Sequence, residues 1–119
     1  MIRCDVHMGH RREFEISSDM RVWPCCYFAN AWQLKSDPDS SLTVNFTHDE
    51  ILQKRFKEDP DWNNLKVKSL DDILEDDILQ KYVADEGWNS ENPPKICVRE
   101  CTVYYDEVIG KETTHSRLD

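Results

Sequence analysis

The chain has 119 residues and a mass of 14.1 kDa, which suits one domain with a modest core and excludes two. Its formal net charge of −9 argues against nucleic acids and anionic membrane surfaces as partners, because both attract clusters of Lys and Arg. The sequence contains no run of about 18 apolar residues, so we expect no membrane span. Residues 1–12 carry charges where a signal peptide has its apolar core, so we expect a reducing, cytoplasmic environment.

A β-hairpin is the first predicted element. Residues 13–17 alternate polar and apolar side chains, which is typical of a half-buried strand. Residues 18–20 favour a turn, since Ser and Asp side chains hydrogen-bond to the nearby backbone. Residues 21–27 predict the returning strand, in which Val22 and Trp23 are strand formers and the proline marks an edge or a bend.

The middle of the chain predicts short elements and one capped helix. Residues 28–34 indicate a short helical turn, residues 37–41 a loop and residues 42–46 a brief extended segment. Residues 47–50, Thr-His-Asp-Glu, match a capping box, in which the Thr and Glu side chains satisfy the first N–H groups of a helix. That helix should end before residues 59–60, Asp-Pro, because a residue that precedes proline disfavours the helical conformation.

The strongest helical periodicity lies in residues 70–84, after a predicted N-cap at Ser69. The apolar residues that recur there at helical spacing are Leu70, Ile73, Leu74, Ile78 and Tyr82. Gly87 indicates a helix stop, and residues 88–94, which include two prolines, predict an irregular connector. Residues 106–119 have little to bury, so we expect a frayed tail after a single domain of residues 1–105.

The five cysteines suggest the chemistry. In a reducing compartment, cysteines are more often metal ligands or redox groups than disulfides. Cys97 and Cys101 are four residues apart, which places both sulfur atoms on one face of a helical turn. Cys25 and Cys26 are adjacent, so only one of them easily faces the same site from an extended chain. If Cys4 and one of this pair join Cys97 and Cys101, they offer four thiolates, the number that a [4Fe-4S] cluster or a structural zinc ion takes.

The spacing of these cysteines resembles the SPASM or twitch region, an auxiliary-cluster domain at the C-termini of radical SAM enzymes that modify peptides. The pattern is Cys4, fifteen residues, Met20 at a turn position, four residues and Cys25, followed much later by Pro-x-x-Cys97-x3-Cys101. Two further stretches are similar, at residues 19–26 and 64–74. The resemblance extends over nearly the whole chain.

The resemblance implies an α+β fold, a β-hairpin plus helices, held by one [4Fe-4S] cluster. The ligands would be Cys4, Cys25, Cys97 and Cys101, with Cys26 as the alternate ligand. The family has a glycine where this chain has Met20, and glycine tolerates positive φ better than methionine does. Five cysteines cannot supply two auxiliary clusters, so one cluster is the most that this chain can hold.

The resemblance does not extend to catalysis. The C-x3-C-x2-C motif that binds the SAM cluster is absent, because Tyr104 stands where its third cysteine would be. We therefore expect a small iron–sulfur protein that transfers an electron or docks as an accessory on a redox or enzyme partner.

The residues leave two other functions open. A structural zinc ion would use the same four thiolates in a protein-interaction module without a redox role. The second alternative is an accessory subunit that binds a peptide for a separate enzyme. His7 and His10 are near Cys4 in sequence and can replace a cysteine ligand, as histidine does in some clusters, although solvated surface positions explain them more simply.

Overall fold

The structure, a computed structural model, describes residues 2, 14–37, 39–102, 104–106 and 110–113. These residues form an α+β fold with two antiparallel hairpins and seven helical segments. The strands are β1 (Glu15–Ile16), β2 (Val22–Trp23), β3 (Tyr104–Asp106) and β4 (Lys111–Thr113). The helices are α1 (Cys26–Gln33), α2 (Ser41–Thr47), α3 (Glu50–Glu58), α4 (Leu70–Leu74), a π-helical turn (Ile78–Tyr82), α5 (Asp85–Trp88) and α6 (Lys95–Cys101). No helix in this part of the chain is long and apolar enough to cross a membrane.

The predicted N-terminal hairpin is confirmed. β1 pairs with β2 in antiparallel register, with Glu15 opposite Trp23. In the turn, the Ser17 N–H donates to the Arg21 carbonyl at 2.9 Å, and the Met20 N–H donates to the Ser17 carbonyl at 2.9 Å. Met20 has a φ of 66°. A residue with a side chain loses roughly 1–2 kcal/mol in this left-handed region.

The returning strand is shorter than predicted. β2 ends at Trp23, so the prediction of strand for residues 24–27 is wrong. Pro24 lies in a bend, since it has no N–H to donate to a β-ladder. Cys25 has extended backbone, with φ −160° and ψ 175°, and is the N-cap of α1. α1 begins at Cys26 and includes most of the predicted helical turn, because apolar residues at helical spacing bury one of its faces.

The extended segment predicted for residues 42–46 is wrong, because these residues lie in α2. Thr43 and Phe46 are three positions apart and are both buried. The Thr43 hydroxyl donates to the Leu34 carbonyl at 3.1 Å, which satisfies an acceptor at the end of α1. Burial at helical spacing therefore outweighs the β-propensity of Thr and Val in this segment.

The predicted helix start at residues 47–50 is displaced by two residues. Thr47 is the last residue of α2, whereas Asp49 is the N-cap of α3, and its carboxylate accepts the Leu52 N–H at 3.0 Å. Asp49 supplies the hydrogen-bond acceptor, a role that the prediction gave to Thr47. Its negative charge also interacts favourably with the positive N-terminal end of the helix dipole. α3 ends at Glu58, which confirms the predicted end before the Asp-Pro pair.

The helix predicted over residues 70–84 is interrupted. Its N-cap is confirmed, since the Ser69 hydroxyl accepts the Asp72 N–H at 3.2 Å. α4 then ends after five residues, and the π-helical turn begins four residues later. Asp76 lies between them, with a carboxylate oxygen 2.7 Å from a guanidinium nitrogen of Arg55 on α3. This ion pair holds Asp76 against α3, at a position where the predicted helix over residues 70–84 would otherwise continue.

The glycine predicted to stop a helix, Gly87, lies inside α5 instead. A Cβ at this position would be 1.8 Å from the carbonyl oxygen of Tyr82. Close packing of α5 on the π-helical turn therefore requires a glycine at this position. The glycine is not required here by a left-handed backbone conformation. Trp88 is buried in α5, so the predicted irregular connector is confined to residues 89–94.

The core is centred on an aromatic cluster. Its rings come from β2, α1, α2, α3 and the turn after α3, and they are Trp23, Trp32, Phe46, Phe56 and Trp62. The ring centroid of Trp23 is 5.3 Å from that of Trp32 and 6.3 Å from that of Trp62. The Arg21 guanidinium lies 5.0 Å from the Trp32 ring centroid and donates to Oδ1 of Asn63 at 2.8 Å. The hairpin is thereby joined to three helices and the following turn.

A second hairpin pairs β3, at the end of the predicted domain, with β4, which lies in the predicted tail. Tyr104 is opposite Thr113, and Asp106 is opposite Lys111. Gly110 in its turn has a φ of 68°, which glycine adopts without strain. The other residues of the predicted tail lie outside the described residues.

We predict that Met20→Gly raises the free energy of unfolding by about 0.5–1 kcal/mol. The substitution relieves the left-handed strain, and the Met20 side chain is 44% exposed, so little burial is lost. The gain is smaller than the strain because glycine makes the unfolded chain more flexible. Urea unfolding measures the change, with Ser18→Gly in the same turn as a control that should lose stability. Equal losses in both variants would show that Met20 is unstrained.

Candidate metal centre

Two of the predicted ligands lie at the N-terminus of α1. Cys25 is half-buried and packs against the core, whereas Cys26 is exposed in the first helical turn. The two thiols therefore differ in environment, although the cause is a helix start and not the strand alternation that the sequence predicted. The difference in burial makes Cys25 the better suited of the two to a site inside the fold.

The other two predicted ligands lie on α6, which confirms the helical turn predicted for them. Cys97 is 6% exposed and belongs to the core. Cys101 is the last residue of α6 and is half-buried. Their spacing places both thiols along one face of α6, one in the core and one nearer its edge.

Tyr27 lies where α1 packs against α6. Burial is the main reason why the pKa of its phenol is raised. Further contributions come from the anionic forms of four neighbours, Glu100, Cys26, Cys101 and Cys25. The start of α1 and the end of α6 therefore share one electrostatic environment. α1 and α6 contact each other, so Cys25 at the start of α1 and Cys101 at the end of α6 lie on neighbouring elements.

One predicted ligand, Cys4, lies outside the described residues, as do the two histidines that could replace a cysteine ligand, His7 and His10. Ile2 is described, and it forms an antiparallel bridge with Thr102, the residue after Cys101. The bridge therefore ties the start of the chain to the C-terminal end of α6.

The described cysteines do not form a complete metal site by themselves. Among the described residues, no group of three or more His, Cys, Asp or Glu side chains is arranged to hold a metal ion. Cys25, Cys97 and Cys101 are therefore not grouped as three ligands of one metal ion, and a site with four thiolates would need these three to approach one another as well as Cys4, which lies outside the described residues.

A buried pair, Asp49 and Tyr82, is a feature that the sequence did not predict. The Tyr82 hydroxyl donates to the Asp49 carboxylate and lies 2.7 and 2.6 Å from its two oxygens. Asp49 is 1% exposed. Burial raises the pKa of Tyr82, and the hydrogen bond to Asp49, the Asp49 charge and Cys97 raise it further. The only sequence signal for this pair was the capping pattern, which gave the N-cap to Thr47 and has no means of identifying a distant tyrosine.

Two buried indole groups have no hydrogen-bond partner among the described residues. The Nε1–H groups of Trp62 and Trp88 have no acceptor in the described part of the chain, which costs about 1–3 kcal/mol for each buried donor. Trp88 belongs to the same core cluster as Cys97. Thiolates ligate iron, so the predicted cysteines match an iron–sulfur cluster in residue type, whereas the described residues among them are not arranged as a metal site.

Comparisons with protein-family models, with curated proteins and with solved structures found no match to this chain. The SPASM or twitch resemblance therefore stays a prediction that rests on cysteine spacing. Met20, at the position that the resemblance assigns to the family's glycine, has a φ of 66°. The backbone at that position has the left-handed conformation that glycine adopts most readily.

We predict that Tyr82→Phe lowers the free energy of unfolding by about 1–3 kcal/mol, because the buried Asp49 carboxylate loses a donor. Stability of the wild type should also fall as the pH rises above 10.0. The raised pKa keeps Tyr82 protonated in the folded state, while the unfolded chain loses that proton. Urea unfolding across this pH range measures both effects, and the variant should show the shallower decline. Equal declines would show that Tyr82 does not cause the pH dependence.

Proposed function

We propose that this chain is a small iron–sulfur protein that holds one [4Fe-4S] cluster through Cys4, Cys25, Cys97 and Cys101. In this proposal the protein works in a reducing cytoplasm, where cysteines remain thiols and are available as ligands. The cluster would join the start of the chain, the start of α1 and helix α6.

The observation that carries the proposal is the meeting of chain segments that are distant in sequence. α1 begins beside Cys25 and packs against α6, which carries Cys97 and Cys101. The bridge between Ile2 and Thr102 adds the segment that leads to Cys4. A link between distant segments opposes unfolding strongly, because it closes long loops and because metal binding is coupled to folding.

Two local features add support. Met20 keeps a strained backbone at the position of the family's glycine, and strain of this kind persists only where the surrounding structure imposes it. Trp88 supplies a buried N–H without an acceptor in the described part of the chain. Hydrogen bonds to sulfur are among the contacts by which a protein tunes the potential of a cluster.

A fully ligated cluster suits electron transfer or a structural role, because no iron is left open for a substrate. When bound, such a cluster supplies one-electron chemistry. The chain's own residues would keep water from it, since Cys97 is 6% and Trp88 7% exposed. The proposal implies a protein partner, either a redox protein or a separate enzyme on which the chain docks.

We predict that Cys25→Ser loses the cluster and that Cys26→Ser retains it. The two variants form a matched pair, because each removes one thiol from adjacent positions, one half-buried and the other exposed. The measurement is the iron and acid-labile sulfide content, with the visible absorption that dithionite bleaches, on protein purified without air.

The reverse outcome, loss in Cys26→Ser and retention in Cys25→Ser, would make Cys26 the ligand. Colourless wild-type protein with one zinc ion per chain would contradict the iron–sulfur proposal and support a zinc-stabilised interaction module. Protein that carries neither metal would contradict both functions.

A further inference from the structure

A groove of about 740 Å³ is lined by residues of α3 and by the start of α6. Its lining includes three lysines, Lys54, Lys57 and Lys95, together with His48 and one acidic residue, Glu50. This concentration of cationic side chains occurs in a chain whose net charge is −9. The groove is therefore a local exception to the charge of the whole molecule.

The charges of these lysines are poorly neutralised. Lys57 and Lys95 form no ion pair within the described part of the chain. Lys54 lies 4.0 Å from Glu58, in an exposed pair of a kind that contributes at most about 1 kcal/mol. By contrast, Arg55 and Lys68 each bind a carboxylate directly. The groove thus keeps positive charge that is available to a ligand.

Two acidic residues of α3 lie near the lysines, Glu50 in the groove lining and Glu58 beside Lys54, whereas the acidic stretch 71–77 contacts α3 on a different face. Lys54 and Lys57 are three positions apart in α3, which places them side by side on one face. Arg55 lies on a different face, where its guanidinium is 2.7 Å from Asp76. The acidic stretch 71–77 is attached to α3 through this ion pair and does not reach into the groove. Its charges therefore act on the groove only from a distance, where salt screens them.

We propose that this groove is the docking surface for an acidic segment of a partner protein. Asp and Glu side chains of the partner would meet the ammonium groups of Lys54, Lys57 and Lys95. Charge complementarity of this kind sets specificity and association rate at protein interfaces. Lysines are flexible point charges, so they adapt to carboxylates spaced along a peptide.

Other anionic ligands fit the groove less well. Its described lining includes no aromatic ring on which a nucleotide base could stack. Small-molecule pockets are mostly apolar, whereas this lining is mostly charged or polar. The proposal is independent of the iron–sulfur function, because the lysines are not among the candidate ligands.

The test is fluorescence anisotropy with a labelled peptide of alternating Glu and Gly, titrated with the full chain purified without air. The groove variant combines Lys54→Gln, Lys57→Gln and Lys95→Gln. The matched control combines Lys35→Gln, Lys66→Gln and Lys81→Gln, which remove the same charge from exposed positions elsewhere. We expect the groove variant to bind the peptide about tenfold more weakly than wild type, and the control to bind within about twofold. Added salt should weaken wild-type binding.

Equal weakening of peptide binding in both triple variants would overturn the proposal, because it would show that the net charge of the protein, and not the groove, determines the affinity. Displacement of the peptide by inorganic phosphate alone would overturn it in favour of a small anion. Tighter binding of a single-stranded DNA of equal charge through the same lysines would overturn it in favour of nucleic acid. The single variant Lys57→Glu, on an exposed helix position, repeats the test if the triple variant does not fold.

Discussion

The burial of Trp23 is the constraint on which the rest of the structure depends. Its side chain is fully buried, and its indole N–H donates to the Ser17 hydroxyl oxygen at 3.0 Å, which ties β2 to the other side of its own hairpin. Rings from α1, α2, α3 and the next turn surround it. Burial of a side chain of this size contributes about 4–6 kcal/mol, which is comparable to the whole stability of a small domain. The hairpin and the first three helices are therefore expected to fold as one unit.

This unit determines where the candidate metal site lies. Only Pro24 separates Trp23 from Cys25, so the buried indole also places the thiol at the start of α1. α6, which carries Cys97 and Cys101, packs against α1 and α2. The first residue of α6, Lys95, lies in the basic groove. The first residue of α6 thus belongs to the candidate docking site, and the cysteines further along the same helix belong to the candidate cluster site.

The sequence was sufficient for features whose causes are local. Alternation predicted the N-terminal hairpin, Ser69 predicted a helix cap, and the four-residue spacing of Cys97 and Cys101 predicted their helical turn.

The sequence was insufficient where a distant contact decides the outcome. Asp76 interrupts the predicted long helix because Arg55 on α3 binds it. Gly87 is needed because a carbonyl of the π-helical turn passes too close for a Cβ. For the site, the pattern identified the cysteines, but neither the Asp49 and Tyr82 pair nor the basic groove has a signature along the chain.

Anomalous scattering at the iron edge, from crystals grown and kept without air, tests the central claim most directly. The account predicts one compact iron peak between the start of α1 and α6, with the sulfur atoms of Cys4, Cys25, Cys97 and Cys101 bound to it. A structure in which the Cys4 sulfur lies far from those of Cys97 and Cys101, with no metal between them, would contradict the account.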